Sequence, residues 1–183
     1  MIISIETSTS ELSLTLLDKE NVIKHISVCC KNELSEIIVS TIKKFLQCNS
    51  ISLRDISFLA IGCGPGSFTG IRSVISTAMG IDISNTHITS LGISSLAGLA
   101  MSALNEAKKL KLKYIISSID SKRDDLFLQL FKINNNKNKL LPFININNID
   151  TIKIDNLHNY FEINNIILED ILFIGYQSSL VKE

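Results

Sequence analysis

The sequence carries no net charge: 18 lysines and arginines balance 18 aspartates and glutamates over 183 residues. A chain without a global field is not drawn as a whole to nucleic acid or to acidic lipid. Aromatic residues are few, 6% with no tryptophan, which leaves little for stacking on bases. Both shortages disfavour a free-standing RNA-binding module. No uninterrupted apolar run is long enough to span a bilayer, so no membrane association is expected. Met1 to Ser10 has no basic opening and reaches acidic Glu6 at once, so no export signal is expected there. The four cysteines, Cys29, Cys30, Cys48 and Cys63, form no C-x-x-C pair, and His25, His87 and His158 are scattered. Reduced, mostly buried thiols are expected, with no metal site.

What is present is an ordinary globular composition, 45% apolar and 20% charged. The length suits one large domain or two small lobes with real cores. One stretch dominates: Gly62 to Met79, G-C-G-P-G-S-F-T-G-I-R-S-V-I-S-T-A-M. It follows Ile56–Ile61, which reads as a buried strand. Gly62, Gly64, Pro65 and Gly66 force a turn, Ser67 can cap a helix, and a helix is expected over about Phe68–Met79. Gly80 stands where a helix end favours positive φ. Clustered N–H groups at such a turn attract anions. The specific fingerprints nevertheless fail. No lysine follows a Walker-type glycine pair, Ser67 replaces a glycine of G-x-G-x-x-G, and Pro65 replaces the first glycine of G-x-S-x-G. A tight strand-to-helix connection without any ligand fits equally well.

The remaining elements follow from periodicity. Ile2–Ile5 is a short strand, and Leu12, Leu14 and Leu16 alternate with Ser13 and Thr15 as in a half-buried one. Asp18–Asn21 is a polar turn into a third strand bearing Val22, Ile26 and Val28. After a polar break at Lys31–Asn32, a helix over Leu34–Gln47 places Leu34, Ile37, Ile38, Ile42, Phe45 and Leu46 at helical spacing. Thr89–Leu91 is a short strand and Ser95 to about Leu110 a helix. Three strands in succession, then alternating helix and strand, predict a mixed sheet with packed helices, the ribonuclease-H-like plan. A smaller second lobe begins near residue 113, so lobes of 1–112 and 113–183 are expected. It holds strands at Tyr114–Ile119 and Leu126–Ile133, a polar loop at Asn134–Lys139, a strand at Pro142–Ile149, a helix near Asp155–Phe161 and a strand at Leu172–Gly175.

On the expected second helix, Phe68, Ile71, Val74, Ile75, Ala78 and Met79 make an apolar face for the sheet. The other face, Gly70, Ser73, Ser76, Thr77 and Gly80, is small and uncharged, where an exposed helix back would carry lysine and glutamate. The first helix is charge-free in its middle, with Ile38, Thr41 and Ile42. Such faces point to burial on both sides, against each other or against a partner subunit.

The run Gly64, Pro65, Gly66, Ser67, Phe68, Thr69, Gly70, Ile71, Arg72 resembles the signature of the TsaB (YeaZ) family. The opening I-S-I-E-T-S-T-S-E-L-S-L and the stretch I-I-S-S-I-D-S-K-R-D-D-L-F-L from Ile115 resemble that family as well. Together they cover Met1 to about Phe131. The resemblance implies the actin-like ATPase superfamily fold and a cytoplasmic, non-catalytic subunit. Such a subunit binds TsaD, transiently recruits the ATPase TsaE, and can form homodimers through the same surface. TsaD forms N6-threonylcarbamoyladenosine beside the anticodon of tRNAs reading ANN codons. Contact with tRNA would run through the complex. No cofactor is implied for this chain alone, while ATP and a metal serve the complex.

In that superfamily the first hairpin wraps a nucleotide phosphate. Here Glu6 replaces the usual aspartate and no glycine follows, leaving Thr7, Ser8 and Thr9 as hydroxyl donors to phosphate or simply to the hairpin backbone. The family's frequent histidine near the first helix is absent from Asn32-Glu33-Leu34-Ser35, and no H-x-x-x-H metal pair occurs anywhere. Asp120, Lys122, Arg123 and Asp125 match an acidic–basic turn in part, with Lys122 where arginine is usual. Lys108, Lys109, Lys111 and Lys113 form the one basic cluster. Members of the family run several tens of residues further, so a minimal second lobe is expected. The rival reading is an enzyme of the same fold, a small ATP-binding phosphotransferase or a peptidase. No catalytic residue can be named for either.

Overall fold

The computed structural model describes residues 1–29, 34–134, 142–163 and 167–176. Cys30, the Lys31–Glu33 break, the Asn135–Lys139 part of the polar loop and the last residues from 177 lie outside the described residues. The chain divides into two compact units, Met1–Ser95 and Leu96–Glu183. The division falls before the third helix, not near residue 112 as the sequence suggested, because that helix buries its apolar face in the second unit's core.

The first unit holds β1 (Ile2–Glu6), β2 (Glu11–Asp18), β3 (Asn21–Cys29), α1 (Leu34–Cys48), β4 (Phe58–Gly62), α2 (Phe68–Ser84) and β5 (Thr89–Ile93). The sheet order is β3-β2-β1-β4-β5. The first three strands are antiparallel, and β4 and β5 run parallel to β1. This is the ribonuclease-H-like arrangement of the actin-like superfamily. Strand alternation decides the core. Ile3, Ile5, Leu12, Leu14, Leu16 and Leu59 are all buried, and they meet Ile38, Ile42 and Phe45 of α1 with Val74 and Ala78 of α2.

Two expectations for α2 fail. Gly80 does not end the helix, which runs on to Ser84 and is capped by Asn85, whose amide donates to the Ile81 carbonyl at 3.0 Å. A helical glycine costs only about 1 kcal/mol, and Ile81 still packs on the core beyond it. Nor do Phe68 and Met79 face the sheet: they are 72% and 59% exposed. The buried stripe is narrower, Gly70, Val74 and Ala78, because Gly70 draws the helix start onto the first hairpin. The cysteines also correct the expectation, since Cys29, Cys48 and Cys63 are exposed, free thiols.

The second unit holds α3 (Ser95–Lys109), which starts at the unit boundary, β6 (Tyr114–Asp120), β7 (Asp125–Ile133), β8 (Phe143–Asn145), β9 (Asp150–Lys153), α4 (Leu157–Ile163) and β10 (Ile171–Gly175). The sheet order is β10-β6-β7-β8, with β9 also paired to β7. Leu96, Ala100, Leu104 and Ala107 of α3 pack against Ile115, Ile119 and Phe131 on one face. Leu157 and Phe161 of α4 cover Ile116, Leu126 and Leu128 on the other. The strand expected over Pro142–Ile149 is cut to three residues. Asn147 turns inward there, its side-chain oxygen accepting from the Leu130 amide and its amide donating to Asp150 and to the Tyr160 hydroxyl.

Candidate functional site

The glycine-rich stretch packs against the hairpin between β1 and β2. Gly66 has φ 151°, and a Cβ there would collide with the Ser8 backbone and side chain. A Cβ on Gly70 would collide with the Thr7 carbonyl. The Ser67 amide donates to the Ser8 carbonyl at 2.7 Å, and the Ser67 hydroxyl accepts from the Gly70 amide at 3.3 Å, the expected N-cap. Gly64 takes φ 86° ahead of Pro65, which is partly buried. Phe68 and Thr69 are exposed, and Arg72 lies over the Phe68 ring at 5.0 Å from its centroid.

The hairpin turn is self-satisfied. Glu6 Oε1 accepts from the Thr7 and Ser8 amides at 2.8 and 2.6 Å, and Oε2 accepts from the Ser95 hydroxyl at 3.0 Å. Of the three candidate phosphate donors, Thr7 and Ser8 are buried and only Thr9 is exposed, its hydroxyl oxygen accepting from the Glu11 amide at 3.4 Å. The Thr7 hydroxyl is enclosed without a hydrogen-bond partner. The structure therefore does not assemble Thr7, Ser8 and Thr9 into an outward phosphate turn. The backbone donors a phosphate would use are taken by Glu6.

A groove of about 780 Å³ runs between α1 and α2. Val39, Ile42, Leu46, Leu53, Thr77 and Gly80 supply much of its wall, Ser76 joins them, and Lys43 is its charged lining residue among the described residues. Of the expected interface set, Ile42, Ser76, Thr77 and Gly80 are thus brought together. Ile38 is instead buried in the core at 2% exposure, and Gly70 is buried under the first hairpin. Thr41 lies on the far side of α1, facing β3, and the Ser73 hydroxyl is turned to the Thr69 carbonyl. Val39, Met79 and Ile83, exposed at 62%, 59% and 82%, were not in that expected set. Their one sequence signal was apolar side chains in stretches short of charge.

In the second unit the Asp120–Asp125 turn closes on itself. Asp120 accepts from the Lys122 amide at 2.8 Å and from its ammonium at 2.9 Å. Burial raises the Asp120 pKa, but the Lys122 hydrogen bonds and charge outweigh it and leave the carboxyl below its ordinary value. The Arg123 amide donates to the Ser121 hydroxyl, and the Asp125 carbonyl accepts from the Ser121 amide. The basic cluster is partly neutralised, with Lys109 at 3.9 Å from Glu106 and Lys113 at 2.7 Å from Asp170.

A family model described as "TsaD: tRNA N6-adenosine threonylcarbamoyltransferase" matches residues 28–183. The chain is similar to the "tRNA threonylcarbamoyladenosine biosynthesis protein TsaB" of Buchnera aphidicola subsp. Schizaphis graminum. Identity is 35% over 135 residues, 74% of this chain and 62% of that protein. The protein of the same name in Escherichia coli (strain K12) is 30% identical over 126 residues, 69% of this chain and 52% of that protein. The match thus spans little more than half the length of these relatives. Among solved structures, YeaZ from Pseudomonas aeruginosa superposes with a TM-score of 0.68 at 20% identity, covering 82% of this chain and 66% of that one. That likeness is one of fold.

Proposed function

The chain belongs to the TsaB (YeaZ) family, and from that premise we propose that it is a non-catalytic subunit of tRNA threonylcarbamoyladenosine biosynthesis that binds TsaD. The observation that carries the reading is the apolar groove between α1 and α2, lined in part by the exposed Val39, with Met79 and Ile83 exposed on the same α2. A surface of that character, with a single lining charge, is suited to another protein's helices. TsaD carries the transfer of the threonylcarbamoyl group to adenosine; this chain supports it, and the same groove serves homodimers when TsaD is absent. TsaE joins transiently, and tRNA is met through the complex. The site of action is the cytoplasm, as the family reading implies.

The chain binds no nucleotide by itself, and ATP and a metal are used by the assembled complex. The occupied hairpin supports this, since Glu6 holds the two amides a phosphate would need. The test has two arms. Titration of TsaD with the purified chain should give a saturable heterodimer. An assay with ATP, magnesium, threonylcarbamoyl-adenylate and tRNA should yield modified tRNA only when TsaD is included. Modified tRNA formed at a catalytic rate without TsaD would end the non-catalytic reading, and failure to bind TsaD would end the subunit reading.

A further inference from the structure

We propose that the outer edge of β3, with the groove beside it, receives an extended peptide strand that turns both acidic and apolar side chains into that groove. The inference concerns a surface separate from the α1–α2 groove and does not rest on TsaD binding.

β3 is a terminal strand of its sheet and, among the described residues, pairs only with β2. Its register with β2 shifts between Leu16 and Leu17, but from Lys24 opposite Leu16 to Cys29 opposite Glu11 the pairing is regular. An edge of that length is a template for another strand unless something blunts it. The bulge blunts only the hairpin end. Along the regular half, a second groove of about 690 Å³ opens between β3 and α1. Lys24 and Ile26 share the sheet face of Leu16 and Leu14, so they form the floor of this groove. Ile37, Thr41 and Phe45 of α1 form its wall. An added strand would hydrogen-bond to the edge while its alternate side chains dropped into the groove, the general mode of β-augmentation.

Charge selects the kind of strand. Lys24 and Lys44 both line the groove, and among its described lining residues there is no carboxylate. Neither lysine has an ion-pair partner among the described residues. Two unopposed ammonium groups beside apolar Ile26, Ile37 and Phe45 favour a strand whose groove-facing residues, two apart, include both a carboxylate and an apolar side chain. A helix in the groove would satisfy the apolar wall but would leave the strand edge unused.

The probe is a fluorescein-labelled seven-residue peptide with glutamate, valine and glutamate at its second, fourth and sixth positions and threonine at the others, so that both kinds of side chain share one face, titrated into the full chain at low salt. Saturable binding is expected, with slowed hydrogen exchange of the β3 amides. The double substitution Lys24→Glu with Lys44→Glu should weaken it about tenfold or more. A companion peptide with lysine in place of glutamate should regain affinity for that variant, which keeps the test informative if charge reversal alters stability. Thr41→Trp, filling the groove, should also abolish binding while TsaD affinity stays unchanged. The proposal is overturned by absence of saturable binding, by indifference to both charge reversal and groove filling, by a helical bound peptide, or by protection appearing on α2 instead of β3.

Discussion

Two glycine-to-alanine substitutions should move stability in opposite directions, and their signs follow from what surrounds each Cα. Gly66 has φ 151°, a region that side-chain-bearing residues rarely adopt. Its missing Cβ would fall onto the Ser8 carbonyl, Cα and Cβ. The backbone strain is worth about 1–3 kcal/mol, and forcing a methyl into a packed contact adds about 1–3 kcal/mol. Since Ser8 is 5% exposed and its carbonyl accepts the Ser67 amide, the hairpin cannot yield without losing that bond. A net loss of about 3 kcal/mol would lower Tm by roughly 6–12 °C for a chain of this size. Gly98, by contrast, lies inside α3 with no heavy atom within 4 Å of its would-be Cβ. Gly98→Ala relieves the helical cost of glycine, about 1 kcal/mol, and should raise Tm by roughly 2–4 °C. Calorimetry on parent and both variants at one concentration decides the matter. A Gly66→Ala melt that overlays the parent would mean that the contact with the first hairpin is not what fixes this turn.

Three further outcomes are expected. Thr77→Glu, on the wall of the α1–α2 groove, should leave the circular dichroism spectrum unchanged and weaken TsaD binding by at least about a hundredfold. That is what a buried unpaired charge costing about 3–5 kcal/mol would do; unchanged affinity in a folded variant would remove the groove from the interface. Burial, aided by the Asp150 carboxylate at 2.9 Å, pushes the Tyr160 hydroxyl well above its ordinary pKa. The native state therefore holds that proton more tightly, and this share of stability is present below about pH 10 and lost as pH rises above it. Tyr160→Phe should flatten the alkaline side of a stability–pH curve, and an unchanged slope would refute the assignment. Asp120 runs the other way: its lowered pKa stabilises the fold above about pH 4 and is lost as pH falls through the native value. Asp120→Asn should reduce stability at neutral pH and leave less of it to lose on acidification, as read from urea midpoints.

The fold was largely legible because period-2 and period-3.6 patterns are imposed by burial. Leu12, Leu14 and Leu16 alternate as expected and are all buried, and α1 was placed to within a residue of its end. The misses share a cause: a residue type serves several environments. Gly80 looks like a helix terminator but sits mid-helix with open space beside it, so nothing forces the chain to stop. Gly70 looks like part of a small-residue interface, yet its size is required by the Thr7 carbonyl beneath it. Thr41 and Ile42 are adjacent in sequence but face different grooves, since neighbours on a helix point about 100° apart. Met79 read as part of the sheet-facing side and is exposed because the helix is anchored at Gly70 and Val74. The helical faces were visible in the sequence; which strand or loop each face met was not.

The same ambiguity explains why the glycine-rich turn invites a phosphate-loop reading. Glycines ahead of a helix do one physical thing, which is to let another group approach the backbone closely. A phosphate is one such group and the chain itself is another. Here the space beside Gly66 and Gly70 holds the Ser8 backbone and the Thr7 carbonyl. Carbonyl oxygens carry partial negative charge and repel an incoming phosphate. Donors that would attract it are also taken: the Ser67 amide donates to the Ser8 carbonyl, and the Gly70 amide donates to the Ser67 hydroxyl. On the facing hairpin the Thr7 and Ser8 amides are held by Glu6. The Ser67 and Gly70 amides on one side and the Thr7 and Ser8 amides on the other are therefore held by the protein's own oxygens. The motif fastens the first hairpin to the start of α2, and so fixes the helix that forms one wall of the α1–α2 groove.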